Sequence, residues 1–208
     1  MIATFSFKPQ TWNLDRLEGI SNKTLEAHFK LYEGYVKNTN LLREQIAEVA
    51  ARGGLKGTDP KFAGLKRRLS YEFNGMRLHE LYFDNLANDP SEIDDGGGLD
   101  SGIREVWESH EKWRDEFAAM GEMRGVGWVI LAQDPWSGDL SNLWIEEHHI
   151  GHILGFRPVL VMDVWEHAWM LDFASSERSK YVSAFLANVD WERCEERLRS
   201  PALDVVTA

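Results

Sequence analysis

The spacing of apolar side chains changes partway along this chain, on either side of an Asp-, Gly- and Pro-rich segment at residues 88–100. Before this segment, apolar residues recur at the spacing of a buried helix face. After it, short apolar runs bounded by Gly and Pro alternate with helical patterns. This order of helices, strands and helices predicts an α+β fold, with one domain at residues 1–90 and a second at residues 98–208.

The first half predicts two long helices that pack as a hairpin. We expect the first helix to begin at Ser21 or Asn22, whose side chains suit an N-cap, and to end at the glycine pair within residues 52–54. The second helix is expected over about residues 60–86, and the Asn-Gly pair at 74–75 is a candidate break.

The second half predicts a helix at residues 101–119, followed by a small three-stranded antiparallel sheet surrounded by helices. The strand candidates are rich in β-branched and aromatic residues and are bounded by Gly or Pro. They lie at residues 125–132, 140–149 and 158–165. The later helices are expected at residues 166–172, 176–188 and 190–199.

Composition excludes several classes of partner. A formal net charge of -11 disfavours binding to nucleic acid or to an anionic membrane. No apolar run is long enough to span a bilayer, and residues 1–19 lack the pattern of a signal peptide. Cys194 is the only cysteine, so an intrachain disulfide is ruled out. These features predict a cytoplasmic protein that acts on a small molecule.

The segment DVWEH, residues 163–167, is the most informative motif. Asp163 stands where a strand should end, and His167 follows four residues later in the first turn of the next helix. The two side chains can therefore point to the same place. A carboxylate oxygen and a neutral imidazole nitrogen suit iron, manganese or zinc. For this pentapeptide alone, an Asp helix cap beside a surface His is an equally good interpretation.

Two further histidines lie on the predicted inner faces of the first two helices. His28 shares its helix face with Tyr35, seven residues later, and His79 is followed by Tyr82 and Phe83. A single His on such a face is usually a core residue satisfied by a hydrogen bond. Together with Asp163 and His167, however, the two histidines suggest four metal ligands within an apolar shell.

The segment EEHHIGH, residues 146–152, is a competing cluster. His148 and His152 have the spacing of two zinc ligands on a helix. A metalloprotease motif would need Glu directly after the first His, and His149 stands there. The stretch also resembles a strand that enters a turn. We therefore expect a histidine near the metal, rather than a separate zinc site.

Five segments in the same order along nearly the whole chain resemble the iron/manganese superoxide dismutases. DVWEHAWMLDF resembles the family's C-terminal signature, which runs D-x-W-E-H-A. The other segments match the first two helices, a G-S-G-W strand and the closing helices of the family. They are residues 20–40, 73–86, 125–131 and 181–192.

The resemblance implies a function and a set of roles. The family converts superoxide, a small anion, to dioxygen and hydrogen peroxide at one iron or manganese ion per chain. We favour iron, with manganese as the alternative. Tyr35 matches the family's gateway tyrosine, and His148 or His149 lies near the place of a glutamine that contacts the metal's solvent. Glu166 matches a glutamate at the interface of a homodimer or homotetramer. The implied metal ligands are His28, His79, Asp163 and His167.

The sequence also departs from the family pattern. The spacing from His28 to Tyr35 is one residue shorter than usual, which suits a helix without a bulge. A histidine–tyrosine relay between subunits has no counterpart, because Leu31 or Tyr32 and Met170 occupy its positions. Both outer glutamines are missing as well. These departures leave two alternatives, a metal-binding relative without dismutase activity and a zinc hydrolase, but neither explains a resemblance along the whole chain.

Overall fold

The computed structural model describes residues 6–199. The parts of the two predicted domains at residues 1–5 and 200–208 lie outside the described residues. In chain order the elements are α1 Asn22–Ala51, α2 Pro60–Asp84, α3 Gly98–Trp107, α4 His110–Gly121, β1 Gly127–Gln133, β2 Leu140–Glu146, β3 Arg157–Asp163, α5 Arg178–Ala187 and α6 Trp191–Arg199. The predicted α+β fold, with a helical first half and a three-stranded antiparallel sheet, is confirmed.

The two long helices form the predicted hairpin. Ser21 caps α1, because its Oγ accepts a hydrogen bond from the Thr24 N–H at 3.2 Å. The helix is α-helical throughout, as the spacing of His28 and Tyr35 suggests. The predicted break at 74–75 is wrong, because α2 is continuous. Gly75 instead admits a neighbouring helix: a Cβ built on it would lie 2.6 Å from Cδ1 of Tyr35.

The prediction of one continuous helix at residues 101–119 is wrong. The chain forms two helices there, α3 and α4. Glu108 ends α3 with a left-handed backbone, at a φ of 67°, and Ser109 caps α4 by accepting a hydrogen bond from the Lys112 N–H. A non-glycine residue at positive φ gives no Gly or Pro signal, so the pattern of apolar residues continues across the break.

The sheet has the strand order β2-β1-β3, and both pairs are antiparallel. Central strand β1, which has a neighbouring strand on each side, is almost entirely buried. Trp128 on β1 lies opposite Asp163 at the end of β3, and opposite Ile145 on β2. This register brings the last residue of β3 against a tryptophan in the core.

The segment after β3 is less helical than predicted. A short 3₁₀ turn, Glu166–Ala168, replaces the helix expected at residues 166–172. Asp172 is tied to the start of α1, where Oδ2 accepts hydrogen bonds from the Ser21 N–H and the Thr24 hydroxyl at 2.9 and 2.7 Å. These bonds hold the turn that carries His167 against the first helix.

One hydrophobic core joins the two halves of the chain. It contains side chains of the helical hairpin, the sheet and the later helices, such as Tyr82 stacked on Phe185 with ring centroids 5.7 Å apart. The carboxyl end of β3 and the inner faces of α1 and α2 meet within this core. Among residues 6–199, no helix combines the length and the apolar character that crossing a bilayer requires.

Candidate metal centre

Four elements bring the predicted ligands together. α1 carries His28, α2 carries His79, β3 ends at Asp163, and the 3₁₀ turn carries His167. The first three side chains are at most 1% exposed, whereas His167 is 26% exposed. Among the described residues, these four form the group of His, Cys, Asp and Glu whose ligand atoms all lie within 4.8 Å of one another.

The three imidazoles converge on a single carboxylate oxygen. Nε2 of His28 and Nε2 of His167 each lie 3.1 Å from Oδ2 of Asp163, and Nε2 of His79 lies 3.6 Å from it. Two atoms about 2.1 Å from one metal ion are about 3.0 to 3.6 Å apart when they subtend about 90° to 120° at the ion. The observed separations therefore fit a shared ion.

The tautomer of His79 supports the same conclusion. Its Nδ1 lies 2.6 Å from the carbonyl oxygen of Gly75, which can only accept, so Nδ1 carries the proton. Nε2 then has a free lone pair directed at the cluster, and it is buried without a hydrogen-bond partner. An orphaned buried nitrogen is costly unless something binds it, and a metal ion would satisfy it.

Burial keeps His28 and His79 neutral. Loss of solvation lowers the pKa of His28 and lowers that of His79 further below the usual histidine value. A neutral imidazole is the form that binds a metal. The nitrogen donors and one carboxylate suit iron, manganese or zinc.

Asp163 is held at three atoms. Oδ2 faces the histidines, Oδ1 accepts from the Trp165 N–H at 2.8 Å, and the backbone carbonyl accepts from the Tyr181 hydroxyl at 2.6 Å. Burial alone would raise the pKa of the Asp163 carboxyl, but its interactions with His167 first and then His28, hydrogen bonds among them, hold that pKa far below its usual value. Asp163 therefore supplies a fixed anionic oxygen.

Tyr35 and His148 form a hydrogen-bonded pair beside the cluster. The Tyr35 hydroxyl lies 2.7 Å from Nε2 of His148, and the Trp128 indole N–H donates to Nδ1 of His148 at 3.0 Å. Because an indole nitrogen only donates, Nδ1 is the acceptor and Nε2 carries the proton. His148 therefore donates to the Tyr35 oxygen, which leaves the Tyr35 O–H free to donate elsewhere.

The turn after β2 separates the two candidate histidines. Glu147 has a left-handed backbone, with φ at 52°, and this directs the fully buried His148 toward Tyr35. His149 is instead part-exposed, with Nδ1 3.8 Å from a Glu147 carboxylate oxygen. His152 bonds through Nε2 to the backbone oxygen of His148. EEHHIGH therefore does not form a zinc site of its own.

Aromatic rings pack against the cluster and around His148. Trp165 stacks on His148, Trp128 meets His79 edge-on, and Phe83 meets His28 in the same way, with ring centroids 4.8 to 4.9 Å apart. Such a shell limits solvent access and tunes the redox potential of a bound metal.

Sequence reasoning missed two residues of this site. Tyr71 on α2 packs against His148, with ring centroids 4.6 Å apart, and Gly75 provides both the bond to His79 and the space for Tyr35. Both lie within three turns of helix before His79. The helical spacing of Tyr71, Gly75 and His79 is the signal that could have revealed them.

Comparison with known proteins now decides the family. Residues 95–197 match the model of "Iron/manganese superoxide dismutases, C-terminal domain". The chain is 35% identical to a superoxide dismutase [Fe] of Cupriavidus metallidurans, over 96% of this chain and 99% of that protein. The chain belongs to the iron/manganese superoxide dismutase family.

Relatives named for each metal occur in this superoxide dismutase family. A superoxide dismutase [Mn] 2 of Haloferax volcanii is 32% identical over 91% of this chain and 92% of that relative. A superoxide dismutase [Fe] of Aquifex aeolicus is 33% identical over 91% and 87%. The predicted enzyme class and the iron or manganese cofactor are thereby confirmed at the level of the family. The two alternatives, an inactive relative and a zinc hydrolase, are not favoured.

Proposed function

We propose that this protein disproportionates superoxide, with one iron ion, or alternatively manganese, held by His28, His79, Asp163 and His167. The observation that carries the proposal is the convergence of three imidazole nitrogens on Asp163 Oδ2 in a chain of this family. The overall reaction consumes two superoxide anions and two protons and yields dioxygen and hydrogen peroxide. When bound, the metal ion supplies the one-electron exchange.

Residues of the chain provide the ligand atoms for the ion that carries out this one-electron exchange. His28 and His79 present neutral nitrogen donors, His167 adds a third imidazole, and Asp163 adds the single negative charge. Because Asp163 is fixed at both carboxylate oxygens and at its backbone carbonyl, the donor set changes little when charge moves. The aromatic rings packed against His28, His79 and His148 limit the access of bulk water to this side of the site.

Tyr35 is proposed to hold and deliver a proton. Burial raises the pKa of its hydroxyl well above the usual tyrosine value, so the group stays protonated at neutral pH. His148, neutral because burial lowers its pKa to about 4, donates through Nε2 to the Tyr35 oxygen and orients the O–H. The peroxide product needs protons, and this O–H is placed to provide one.

Reconstitution with single metals tests the proposal. We expect the iron-loaded or the manganese-loaded protein to dismutate superoxide, and the zinc-loaded protein to be inactive because zinc has no redox chemistry. Tyr35→Phe should bind metal normally and lose rate. If neither iron nor manganese gives activity at full occupancy, the proposed function is wrong.

We also propose that the chain assembles as a homodimer or homotetramer with Glu166 at the interface. Two features support it: His167 is 26% exposed in the single chain, unlike the other proposed ligands, and Met170 and Leu171 are about half exposed beside the exposed Glu166. A partner subunit would cover this apolar surface. Sedimentation of the Glu166→Ala variant should show weaker assembly, and Glu192→Ala, at another exposed glutamate, should not. Equal assembly of both variants would contradict a role for Glu166.

A cytoplasmic location and an antioxidant role are part of the same proposal. The single cysteine, Cys194, is buried and cannot form an intrachain disulfide, as is usual in a reducing compartment. Cell fractionation should recover the protein with cytoplasmic markers; recovery with secreted proteins would contradict this location.

A further inference from the structure

An open surface cavity is lined in part by Tyr71, whose ring packs against Tyr35 and His148. Its volume is about 420 Å³. The ring of Tyr71 forms part of the wall of this cavity, while its other contacts reach inward. The cavity is lined by Gly64, Arg67, Arg68, Tyr71, Glu147 and His149.

Tyr71 separates this cavity from the buried pair. Its ring centroid lies 4.6 Å from that of His148 and 6.4 Å from that of Tyr35. His148 is fully buried, whereas Tyr71 is only half-buried. The ring therefore stands between solvent on one side and the Tyr35–His148 pair on the other.

Arg68 holds the Tyr71 ring in this position. The guanidinium carbon lies 4.1 Å from the ring centroid, a cation–π contact. Arg68 is itself fixed, because its Nε donates to the buried carboxylate of Glu72 at 2.7 Å. Glu72 also accepts a hydrogen bond from the Asn38 side chain of α1 at 3.2 Å. The ring is thus clamped by a chain of contacts that reaches the opposite helix.

The cavity offers a guanidinium group to a small anion. Arg67 and Arg68 line it together with one carboxylate, that of Glu147, and Arg68 is also paired with the buried Glu72. A guanidinium group attracts an anion locally even in a chain whose net charge is -11.

We propose that Tyr71 is a specificity-determining gate, whose ring, clamped by Arg68, restricts passage from this cavity to the Tyr35–His148 pair to small species. The inference rests on the proposed function for the identity of the anion. The barrier itself does not depend on that function, because it follows from how the Tyr71 ring packs against His148.

Chemical labelling of His148 tests the barrier without any assay of catalysis. Diethyl pyrocarbonate acylates neutral imidazole, and peptide fragmentation resolves His148 from its neighbours. In metal-loaded protein we expect His148 to be labelled slowly in the wild type and in Tyr71→Phe, which keeps the ring. In Tyr71→Ala the rate should rise about tenfold or more relative to His110, which lies away from the cavity.

A matched pair of arginine variants separates the clamp from the charge. Arg67→Gln and Arg68→Gln remove the same charge from the same cavity, but the ring contact belongs to Arg68. We expect Arg68→Gln to raise the labelling of His148 severalfold and Arg67→Gln to leave it near the wild-type rate. Labelling of the buried His79 in Tyr71→Ala would indicate that this variant unfolds. The comparison of Arg68→Gln with Arg67→Gln then tests whether the Tyr71 ring protects His148.

Inhibition by anions of different size provides a second test. In the active protein, formate should inhibit dismutation more strongly than propionate, and Tyr71→Ala should improve inhibition by propionate about tenfold while changing formate little. If the protein proves inactive, labelling still tests the gate, so the two failures can be told apart. The proposal is overturned if Tyr71→Ala and Arg68→Gln, both folded, leave His148 as protected as in the wild type, or if Tyr71→Phe exposes it equally.

Discussion

At the scale of the residue, Asp163 connects most of the site. One carboxylate oxygen faces three imidazoles, the other accepts from a backbone N–H, and the backbone carbonyl accepts from the Tyr181 hydroxyl. A fully buried carboxylate without such partners would cost several kcal/mol. The hydrogen bonds of the imidazoles around it offset that cost only in part, which makes a bound cation the natural remaining partner.

Asp163→Asn tests this dependence because it keeps the shape of the side chain and removes the charge. We expect iron or manganese content to fall sharply, with at least about a tenfold loss of affinity, since even residues behind the ligands contribute this much. Metal analysis by mass spectrometry measures the effect. Asp139→Asn, at an exposed carboxylate, serves as the control. Unchanged metal content in Asp163→Asn would contradict the proposed ligand role.

Cys194 allows a test of core burial. Burial raises the pKa of its thiol, so the fraction of reactive thiolate in the folded protein stays very small at pH 7 to 9. Iodoacetamide should therefore label Cys194 slowly throughout this pH range, and quickly once the protein is unfolded in guanidinium. Rapid labelling of the folded protein, rising with pH as for an ordinary thiol, would show that α6 is not packed as described.

At the scale of the element, the contact between α1 and α2 positions Tyr35. The two helices approach closely at Gly75, where a side chain would overlap the Tyr35 ring. On the same helix, Gly64 has nothing within 4 Å of a built Cβ. The two glycines therefore differ in what an added methyl group would meet.

Gly75→Ala and Gly64→Ala form a matched pair. Gly64→Ala should stabilise the protein by about 0.5 to 1 kcal/mol through helix propensity. Gly75→Ala should destabilise it by about 1 to 3 kcal/mol through overpacking, and should lower activity because Tyr35 is displaced. Urea denaturation measures both free energies of unfolding. A stabilised, fully active Gly75→Ala variant would disprove the close packing.

Most of the helices and strands could be predicted from the sequence, because helix caps, apolar periodicity and strand composition are local signals. Both halves of the chain also contain features that the sequence did not predict. Glu108 breaks a helix without a glycine, so α3 and α4 look continuous in sequence. The choice between His148 and His149 depends on the positive φ of Glu147, and the position of Tyr71 depends on how two helices pack. Local spacing encodes neither the backbone angle of Glu147 nor the contact of Tyr71 with His148, although the helical spacing of Tyr71 and His79 places both on one face of α2.

At the scale of the whole molecule, the proposed ligands join parts of the chain that are far apart in sequence. His28 and Asp163 are 135 residues apart and meet at 3.1 Å. A metal bound to both would link the helical hairpin to the sheet. Because an ion that binds only the folded state stabilises it, removal of the ion should weaken the entire fold.

Removal of the metal should lower the melting temperature. An ion present at about a thousand times its dissociation constant contributes about 4 kcal/mol, which corresponds to roughly 8 to 16 °C for a domain of this size. Calorimetry of the metal-free and reloaded protein measures the shift. The same treatment of Asp163→Asn should cause little change. Equal melting temperatures with and without metal would argue against a site shared between the two halves.

The central claim is tested most directly by the metal content of protein purified without added metal, combined with a dismutation assay on the same samples. We predict about one iron or manganese ion per chain at full loading, with activity proportional to the content of that ion in partly loaded samples. Zinc or no metal, with no activity after loading with iron or manganese, would contradict the proposed function and leave a family fold without its chemistry.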